Sequence, residues 1–306
     1  MAGCATGNSI VSVGDTADNY LSNHSNLVVV PNMGNAGDGL INHSMYSLLK
    51  RKSIRFSVKE AREIKDADWT ATYLIMVNGA LHHGEHAMDR LIRLLSAGSA
   101  RMILHSATIQ ERDILLKQLP GSTVVIAREP VTFQYVRSIR SDITTVLSED
   151  ATMAIADGDA DLPDPSFLLR AQYRTRLLLR TIQLGFPAEF AFFPERYRSG
   201  RHQLETFYAL RKDDESLNHE HHPGVNVDLS EVCGGRQSIE HAEASAGSLL
   251  NVIKSKKMIR TDRLHVAIGC ALVEVECHFS ANKYFKCEAI YSHSLAKRFP
   301  FIKWVN

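Results

Sequence analysis

The sequence lacks the features that mark several protein classes. Its five cysteines are an odd number without a CxxC pair, which argues against a disulfide framework or a zinc ribbon. Lys plus Arg number 35 and Asp plus Glu 34, so the net charge of +1 gives no general reason to expect nucleic acid or an anionic membrane as partner. No apolar run approaches the roughly 18 residues of a membrane-spanning helix. A reduced, cytoplasmic protein with ample apolar material for a core, 44% of its residues, fits these observations.

The chain has a polar start and then an alternating pattern. Residues 1–25 are small and polar without a basic stretch, so they do not resemble a signal peptide, and we expect a flexible leader. Strand-like runs then alternate with helical patterns, which indicates a parallel sheet with helices on both faces over residues 26–156. The strand-like runs of this first domain are Leu27–Val30, Ser53–Ser57, Tyr73–Val77, Met102–His105, Thr123–Ala127 and Thr144–Leu147.

An acidic, proline-containing segment, residues 157–166, is typical of a linker to a second domain, residues 167–306. Helical patterns cover Phe167–Leu184 and Ser238–Lys254. Strand patterns cover Phe207–Leu210, Asn226–Leu229, Met258–Thr261 and Leu272–Val275. The predicted class is α/β, with two Rossmann-like domains facing each other across a cleft and ligands outside the carboxyl ends of the strands.

The first candidate for chemistry is a glycine-rich turn between a strand and a helix, Gly34–Gly39. Glycines allow close backbone approach to a ligand, and a helix N-terminus favours anions. The spacing is GxxGxG rather than the GxGxxG dinucleotide fingerprint, and no acidic residue ends the second strand, which disfavours a nicotinamide cofactor. A tight turn with Asp38 capping the helix is the structural alternative.

Three arginines follow strand patterns. Arg128 precedes Glu129 and Pro130 at a helix start, where a structural Arg–Glu pair is the alternative. Arg211 opens a charged cluster, for which a solvated loop is the alternative. Arg263 and His265 fall at the start of a helix, where the positive end of the dipole disfavours cations, so a bound anion is the better interpretation than a buried histidine.

Metal binding and two nucleophile motifs are disfavoured. The histidine-rich segments 82–86 and 219–222 contain metal-ligand residue types but lack HExxH spacing, so we expect no metal site. Neither a GxSxG elbow nor a GxxxxGK[ST] loop is present.

In order and approximate spacing these motifs resemble the polysaccharide pyruvyl transferase family from about Asn26 to Leu295. The Thr261-Asp262-Arg263-Leu264-His265 block is the most specific match. The other matches are the N-x-G-D motif at Asn35–Asp38, Arg128-Glu129-Pro130, Glu149-Asp150-Ala151, Leu210-Arg211-Lys212-Asp213 and Lys283-Tyr284. Two loops depart from the family pattern: Asn78–Leu81 is less glycine-rich, and Leu272–Val275 replaces a Gly-x-Pro turn.

The resemblance implies a fold like that of GT-B glycosyltransferases and transfer of a pyruvyl group from phosphoenolpyruvate to a hexose of a cell-surface polysaccharide, often lipid-linked, as a ketal. His265 would be the acid, and Asp38, from the opposite half, would bind or deprotonate the acceptor. Donor binding is assigned to Arg211, Arg263, Lys212 and Lys283, and acceptor or cleft contacts to Asn35, Gly37, Asn78, Gly79, Arg128 and Glu129.

No cofactor is expected beyond phosphoenolpyruvate as co-substrate, and no nucleic acid or transmembrane segment. The expected location is the cytoplasm or the inner face of the plasma membrane, with peripheral contact through a lipid-linked acceptor. Two alternatives stay open: a GT-B nucleotide-sugar glycosyltransferase, and a non-catalytic carbohydrate-binding homologue.

Overall fold

The structure is a computed structural model that describes residues 10–79, 81, 87–183, 206–217, 226–234 and 238–305. Contacts divide the chain into two compact units. The first unit takes in the chain up to Pro31 together with Leu48–Ala154, and the second takes in Asn32–Ser47 together with Ile155–Asn306. Each unit contains one parallel sheet, so the predicted α/β class is confirmed.

The first unit holds a six-stranded sheet in the order β2-β1-β3-β4-β5-β6, with every neighbouring pair parallel. Its strands are β1 (Leu27–Val30), β2 (Phe56–Val58), β3 (Thr72–Met76), β4 (Arg101–Ala107), β5 (Val124–Ala127) and β6 (Thr144–Leu147). The central strands β1 and β3 are buried along their whole length, as expected for strands covered on both faces.

The helices of this unit accompany the sheet, and three of them contribute to its core, for example through Leu91, Leu116 and Val136. The helices are α1 (Val13–Tyr20), α2 (Ala36–Arg51, which begins in the second unit), α3 (Ala87–Ala97), α4 (Asp113–Lys117), α5 (Pro130–Ile139) and α6 (Met153–Ala156), with a 3₁₀ turn at Ala61–Glu63.

The expectation of a flexible leader is wrong for its described part. Ser12 caps α1 by accepting a hydrogen bond from the Asp15 backbone N–H, and Val13 and Ala17 are buried. Val11 also forms a bridge to Ser148 just beyond β6. The small residues that suggested a loose leader are the ones that let this helix pack closely.

The second unit holds a four-stranded parallel sheet in the order β10-β9-β8-β7. Its strands are β7 (Thr206–Tyr208), β8 (Met258–Thr261), β9 (Glu276–Phe279) and β10 (Ile302–Trp304). Its helices are α7 (Phe167–Gln183), α8 (Leu229–Val232), α9 (Ile239–Lys254), α10 (Leu264–Leu272) and α11 (Lys286–Ile290), which continues as a π-helical turn over Tyr291–Leu295.

Two strand predictions in this unit are wrong. Asn226–Leu229 forms no strand, and Leu229 instead begins α8. Leu272–Val275 is the end of α10 and a turn, and the strand starts at Glu276. Apolar β-branched residues mark both stretches, but packing against neighbouring elements overrides that local preference.

The start of α2 groups with the second unit, whereas the predicted boundary placed it in the first domain. The His43 ring Nε2 lies 3.0 Å from the Asp161 carbonyl oxygen, and the Ser47 hydroxyl accepts from the Asp161 N–H at 2.7 Å. A Cβ at Gly39 would come within 2.8 Å of the Ser245 Oγ, so a larger residue there would force Ser245 or the two helices, α2 and α9, to shift. No helix in the described part of the chain is long and apolar enough to cross a bilayer.

Candidate functional site

The glycine turn forms a hydrogen-bonded cap at the start of α2. The Asn35 side chain accepts from the Gly37 N–H at 2.8 Å, and the Asp38 carboxylate accepts from the Asn35 N–H at 3.2 Å. The two bonds satisfy backbone N–H groups at the start of the helix, and the bond from Asn35 to Asp38 is the half of a capping box in which the N3 side chain accepts from the N-cap N–H. Asn32 donates to the other Asp38 oxygen at 3.0 Å. Asp38 therefore caps the helix, as the structural alternative predicted, while its side chain stays partly exposed.

His265 lies directly against this turn. A Cβ built on Gly37 would fall 2.7 Å from the His265 Nδ1, so the glycine backbone touches the ring where any other residue would clash. His265 is in the first turn of α10 and is partly exposed. The N-termini of α2 and α10 thus meet at one imidazole, and both dipoles favour an anion there.

The turn after α8 completes the surroundings of Asn35. A Cβ at Gly234 would lie 3.3 Å from the Asn35 Cα, so this glycine also permits a close backbone approach. All these residues belong to the second unit. The prediction that Asp38 would come from the opposite half therefore differs from the structure, in which Asp38 and His265 share one unit.

Arg263 is held by carboxylates in the same unit. Its guanidinium donates to Asp228 at 3.0 and 2.5 Å. It also forms an ion pair with Asp213 at 2.9 Å, and Glu231 lies 3.7 Å away. Asp228 belongs to the residue types that cap helices and precedes α8, yet its carboxylate accepts from the arginine instead.

Arg211 joins this cluster through Asp213. It donates to both Asp213 oxygens, at 2.6 and 2.9 Å, and to Glu215 at 2.5 Å. Lys286 donates to the same Glu215 oxygen at 3.1 Å. Asp213 therefore bridges two guanidinium groups through the fork geometry that suits carboxylates.

The carboxylates of this cluster differ in exposure. The side chain of Asp228 is 2% exposed, whereas Asp213 is 41% and Glu231 is 36% exposed. Burial acts to raise the pKa of Asp213, but the hydrogen bonds from Arg211 and the charge of Arg263 outweigh it and hold that pKa below its ordinary value. Burial likewise opposes the charge on Arg263, and its ion pair with Asp228 more than compensates, so its pKa is raised.

The two lysines assigned to the donor are exposed. The Lys212 N–H donates to Asp228 at 3.2 Å, and the Lys283 N–H donates to the Glu215 carbonyl at 3.1 Å. Their backbones therefore border the arginine cluster. Lys286, three residues after Lys283, is the buried lysine that enters it.

Arg128 and Glu129, assigned to acceptor or cleft contacts, are buried structural residues in the first unit. Arg128 donates to Asp150 at 2.7 Å and to Thr108 at 2.8 Å. Glu129 is the N-cap of α5 and accepts from the Thr132 N–H. The predicted Arg–Glu pairing is replaced by an Arg128–Asp150 pair, because β5 and β6 are neighbours and bring the residues after them together.

Asn78 and Gly79 follow β3 in the first unit. Asn78 is buried with a φ of 51°, and its carbonyl accepts from the Thr108 N–H at 2.8 Å. A positive φ is unusual for a residue other than glycine and is tolerated best by asparagine and aspartate. Asn78 therefore shapes the loop at the carboxyl end of β3.

Sequence reasoning missed three residues that build the second-unit site. Asp228 is 35 positions before Arg263, and no local pattern links them. Lys286 is hidden in an ordinary helical stretch, and Gly234 lies beside a second glycine that reads as a simple turn. The N-cap preference of aspartate before α8 was the one available signal.

Among the described residues no group of three or more histidine, cysteine, aspartate or glutamate side chains is placed to hold a metal ion. The histidine-rich segments 82–86 and 219–222 lie outside the described residues.

Comparisons with known proteins identify the fold and the family of the chain. A crystal structure of a functionally uncharacterised protein from Klebsiella pneumoniae is similar over 95% of this chain and 96% of that chain, with a TM-score of 0.66 and 22% identity, which shows a shared fold. A search of curated proteins finds no match. The family model for polysaccharide pyruvyl transferase matches residues 35–284. This match begins at Asn35 and includes His265, and it shows that the chain belongs to the polysaccharide pyruvyl transferase family.

Proposed function

We propose that the protein transfers the pyruvyl group of phosphoenolpyruvate to two hydroxyls of a hexose in a cell-surface polysaccharide or its lipid-linked repeat unit. The family supports pyruvyl transfer onto polysaccharide. The observation that carries the residue assignment is the position of His265, a titratable group at the meeting point of two helix N-termini.

The proposed reaction is a ketal formation. A proton added to the methylene carbon of phosphoenolpyruvate creates the methyl group and oxocarbenium character at C2. One sugar hydroxyl attacks C2, the C–O bond to phosphate breaks, and a second hydroxyl closes the ketal. The two hydroxyl protons balance the new methyl hydrogen and the protonated phosphate, so no redox step is needed.

His265 is assigned as the acid that protonates the methylene carbon, because a positioned imidazole both donates and recovers a proton near neutral pH. The helix N-termini of α2 and α10 would stabilise the donor's negative charge. Holding donor and acceptor together supplies further rate enhancement through orientation.

Arg263 and Arg211 are assigned to the donor's carboxylate or phosphate, although both are saturated by carboxylates in the structure. Asp213 bridges them and is partly exposed, so it is the group that an incoming carboxylate would replace. The exposed Lys212 and Lys283 add positive charge beside the cluster.

The acceptor is assigned to Asp38, Asn35 and Gly37, with Asn78 and Gly79 as further contacts from the first domain. Asp38 keeps a partly exposed carboxylate while it caps α2, and we assign this carboxylate to a hydroxyl of the acceptor. The GT-B-like arrangement belongs to the same proposal, as does a cytoplasmic location. The acceptor domain then corresponds to the predicted residues 26–156 without Asn32–Ser47, which group with the second unit, and the predicted linker at 157–166 leads to the donor domain at 167–306.

The first test is ligand-dependent thermal stabilisation with phosphoenolpyruvate, UDP-glucose and GDP-mannose. A ligand that binds only the folded chain raises its melting temperature. We expect a shift with phosphoenolpyruvate alone. A shift only with a nucleotide sugar would replace the proposal by a glycosyltransferase, and no shift with any of the three would favour a non-catalytic binding protein.

The second test separates chemistry from binding. His265→Gln should retain the shift with phosphoenolpyruvate but lower acceptor-dependent phosphate release by about 10²- to 10⁴-fold. His278→Gln, on β9, is the matched control and should behave as wild type. Normal turnover by His265→Gln at saturating donor would remove His265 from the catalytic role.

A further inference from the structure

Helix α7 has an exposed apolar face. Phe167 is 87%, Leu168 67%, Leu179 57% and Ile182 56% exposed. At about 100° per residue these four positions fall within one arc of about 120° along the helix. The four side chains form two pairs, one at each end of the helix, and the smaller Ala171 and Thr175 lie between them on the same face. Exposed large apolar side chains grouped in such a stripe mark an interaction surface rather than scattered surface residues.

The opposite face of α7 is anchored to the second unit. Tyr173 is buried, and its hydroxyl donates to the carbonyls of Cys233, at 2.5 Å, and Gly234, at 2.9 Å. The helix packs against α8 and α9. One face of α7 is therefore fixed, and the apolar stripe is displayed outward.

The charge of α7 is of one sign. Its 17 residues contain four arginines, at positions 170, 174, 176 and 180, and no acidic residue. The overall net charge of +1 conceals this concentration. Three carboxylates of the preceding acidic segment are already engaged: Asp157 with Arg298, Asp161 with Ser47, and Asp164 with Arg170.

We propose that α7 lies flat on an anionic lipid bilayer, with Phe167, Leu168, Leu179 and Ile182 entering the headgroup region and the exposed Arg174, at the edge of the stripe, contacting acidic headgroups. An exposed apolar stripe combined with a basic helix is the pattern of an interfacial membrane helix. Arginine suits this position because its aliphatic stem covers apolar surface while the guanidinium reaches phosphate.

The docked helix would hold the candidate site near the bilayer. Tyr173 bonds to Gly234, and Gly234 approaches the Asn35 Cα at the start of α2. A lipid-linked acceptor is confined to the same surface. This part of the inference rests on the proposed function, whereas membrane binding itself does not.

The test is co-flotation of the full chain with vesicles of phosphatidylcholine containing about 30% phosphatidylglycerol, without any substrate. Leu179→Ser/Ile182→Ser should lower the partition coefficient at least about tenfold, because less apolar surface enters the interface. Arg174→Gln should lower it about fivefold. Ile114→Ser and Arg62→Gln, at exposed positions of the first unit, are the matched controls and should bind as wild type.

Three results would overturn the proposal. The first is that wild type fails to bind anionic vesicles, and the second is that the α7 variants bind as well as wild type. The third is a wild-type dimer in light scattering that Leu179→Ser/Ile182→Ser converts to a monomer, which would make the stripe an interface between two copies. Since no substrate is added, none of these results depends on the donor, and the thermal-shift test decides the proposed function separately.

Discussion

Two arginines that follow strands, Arg128 in the first unit and Arg263 in the second, look alike in sequence and differ in their surroundings. Arg128 pairs with Asp150, and the two side chains are 1% and 0% exposed. Arg263 shares several carboxylates, of which Asp213 and Glu231 are partly exposed. Both arginines are buried, so the exposure of the carboxylates distinguishes the two ion pairs. The Arg128–Asp150 pair is fully buried, whereas a ligand can reach the Arg263 cluster through its partly exposed carboxylates.

The largest expected change in stability comes from breaking the buried Arg128–Asp150 pair. Arg128→Met leaves Asp150 buried without its charged partner and should lower the free energy of unfolding by about 3–5 kcal/mol. Denaturant unfolding measures this loss, and Arg128→Met/Asp150→Asn should recover part of it. The shift with phosphoenolpyruvate should persist in whatever fraction folds. A loss below about 1 kcal/mol would mean that the pair is no more structural than the Arg263 cluster.

The second largest expected change is in the pH dependence of stability, and it comes from His105. This residue is fully buried on β4, with neither ring nitrogen hydrogen-bonded among the described residues. Burial lowers its pKa from 6.5 to about 4, and the charge of Asp150 opposes that shift only partly. The folded chain keeps the ring neutral while the unfolded chain protonates it below about pH 6.5. The contribution of the neutral His105 ring to the unfolding free energy is therefore fully present above pH 6.5, and it is lost as the pH falls towards 4.

His105→Leu should remove this pH dependence, which amounts to roughly 3 kcal/mol in wild type. Unfolding free energies of wild type and variant at pH 4.5, 5.5 and 7 measure it, since the difference isolates this group. The Asp213 carboxylate, with a pKa held below its ordinary value of 3.8, gives up its contribution only at lower pH. If the unfolding free energies of wild type and His105→Leu changed equally with pH, protonation of His105 would not be a cause of acid sensitivity.

The smallest expected change in stability comes from Asp213, and it tests whether a donor carboxylate can replace the Asp213 carboxylate at Arg263 and Arg211. Asp213→Asn removes the partly exposed bridge, so stability should change by less than about 1 kcal/mol. The Kd for phosphoenolpyruvate should fall severalfold, because the donor no longer displaces a carboxylate. Asp228→Asn is the control: it strips Arg263 of its buried partner and should destabilise the fold by about 3–5 kcal/mol. Weaker donor binding by Asp213→Asn, measured by titration calorimetry, would count against the exchange.

Local signals and long-range contacts explain what the sequence could predict. The parallel sheets follow from β-branched runs, and the Asp38 cap follows from the spacing of Asn35 and Asp38, since both depend on neighbouring residues. The Arg128–Asp150 pair spans 22 positions, and the Arg263–Asp228 pair spans 35. Which carboxylate meets which arginine depends on strand order and loop path, and neither is encoded by residues near the arginine.

The described cysteines, Cys233, Cys270, Cys277 and Cys287, are buried free thiols, and all four belong to the second unit. Burial raises the pKa of Cys233 to about 12 and that of Cys287 to about 11, so their reactive thiolate forms are scarce at neutral pH. Alkylation of these residues then requires local opening of the chain. In a Cys4→Ser background, a mass-spectrometric count of modified thiols over time would measure the opening free energy of the second unit without any introduced label.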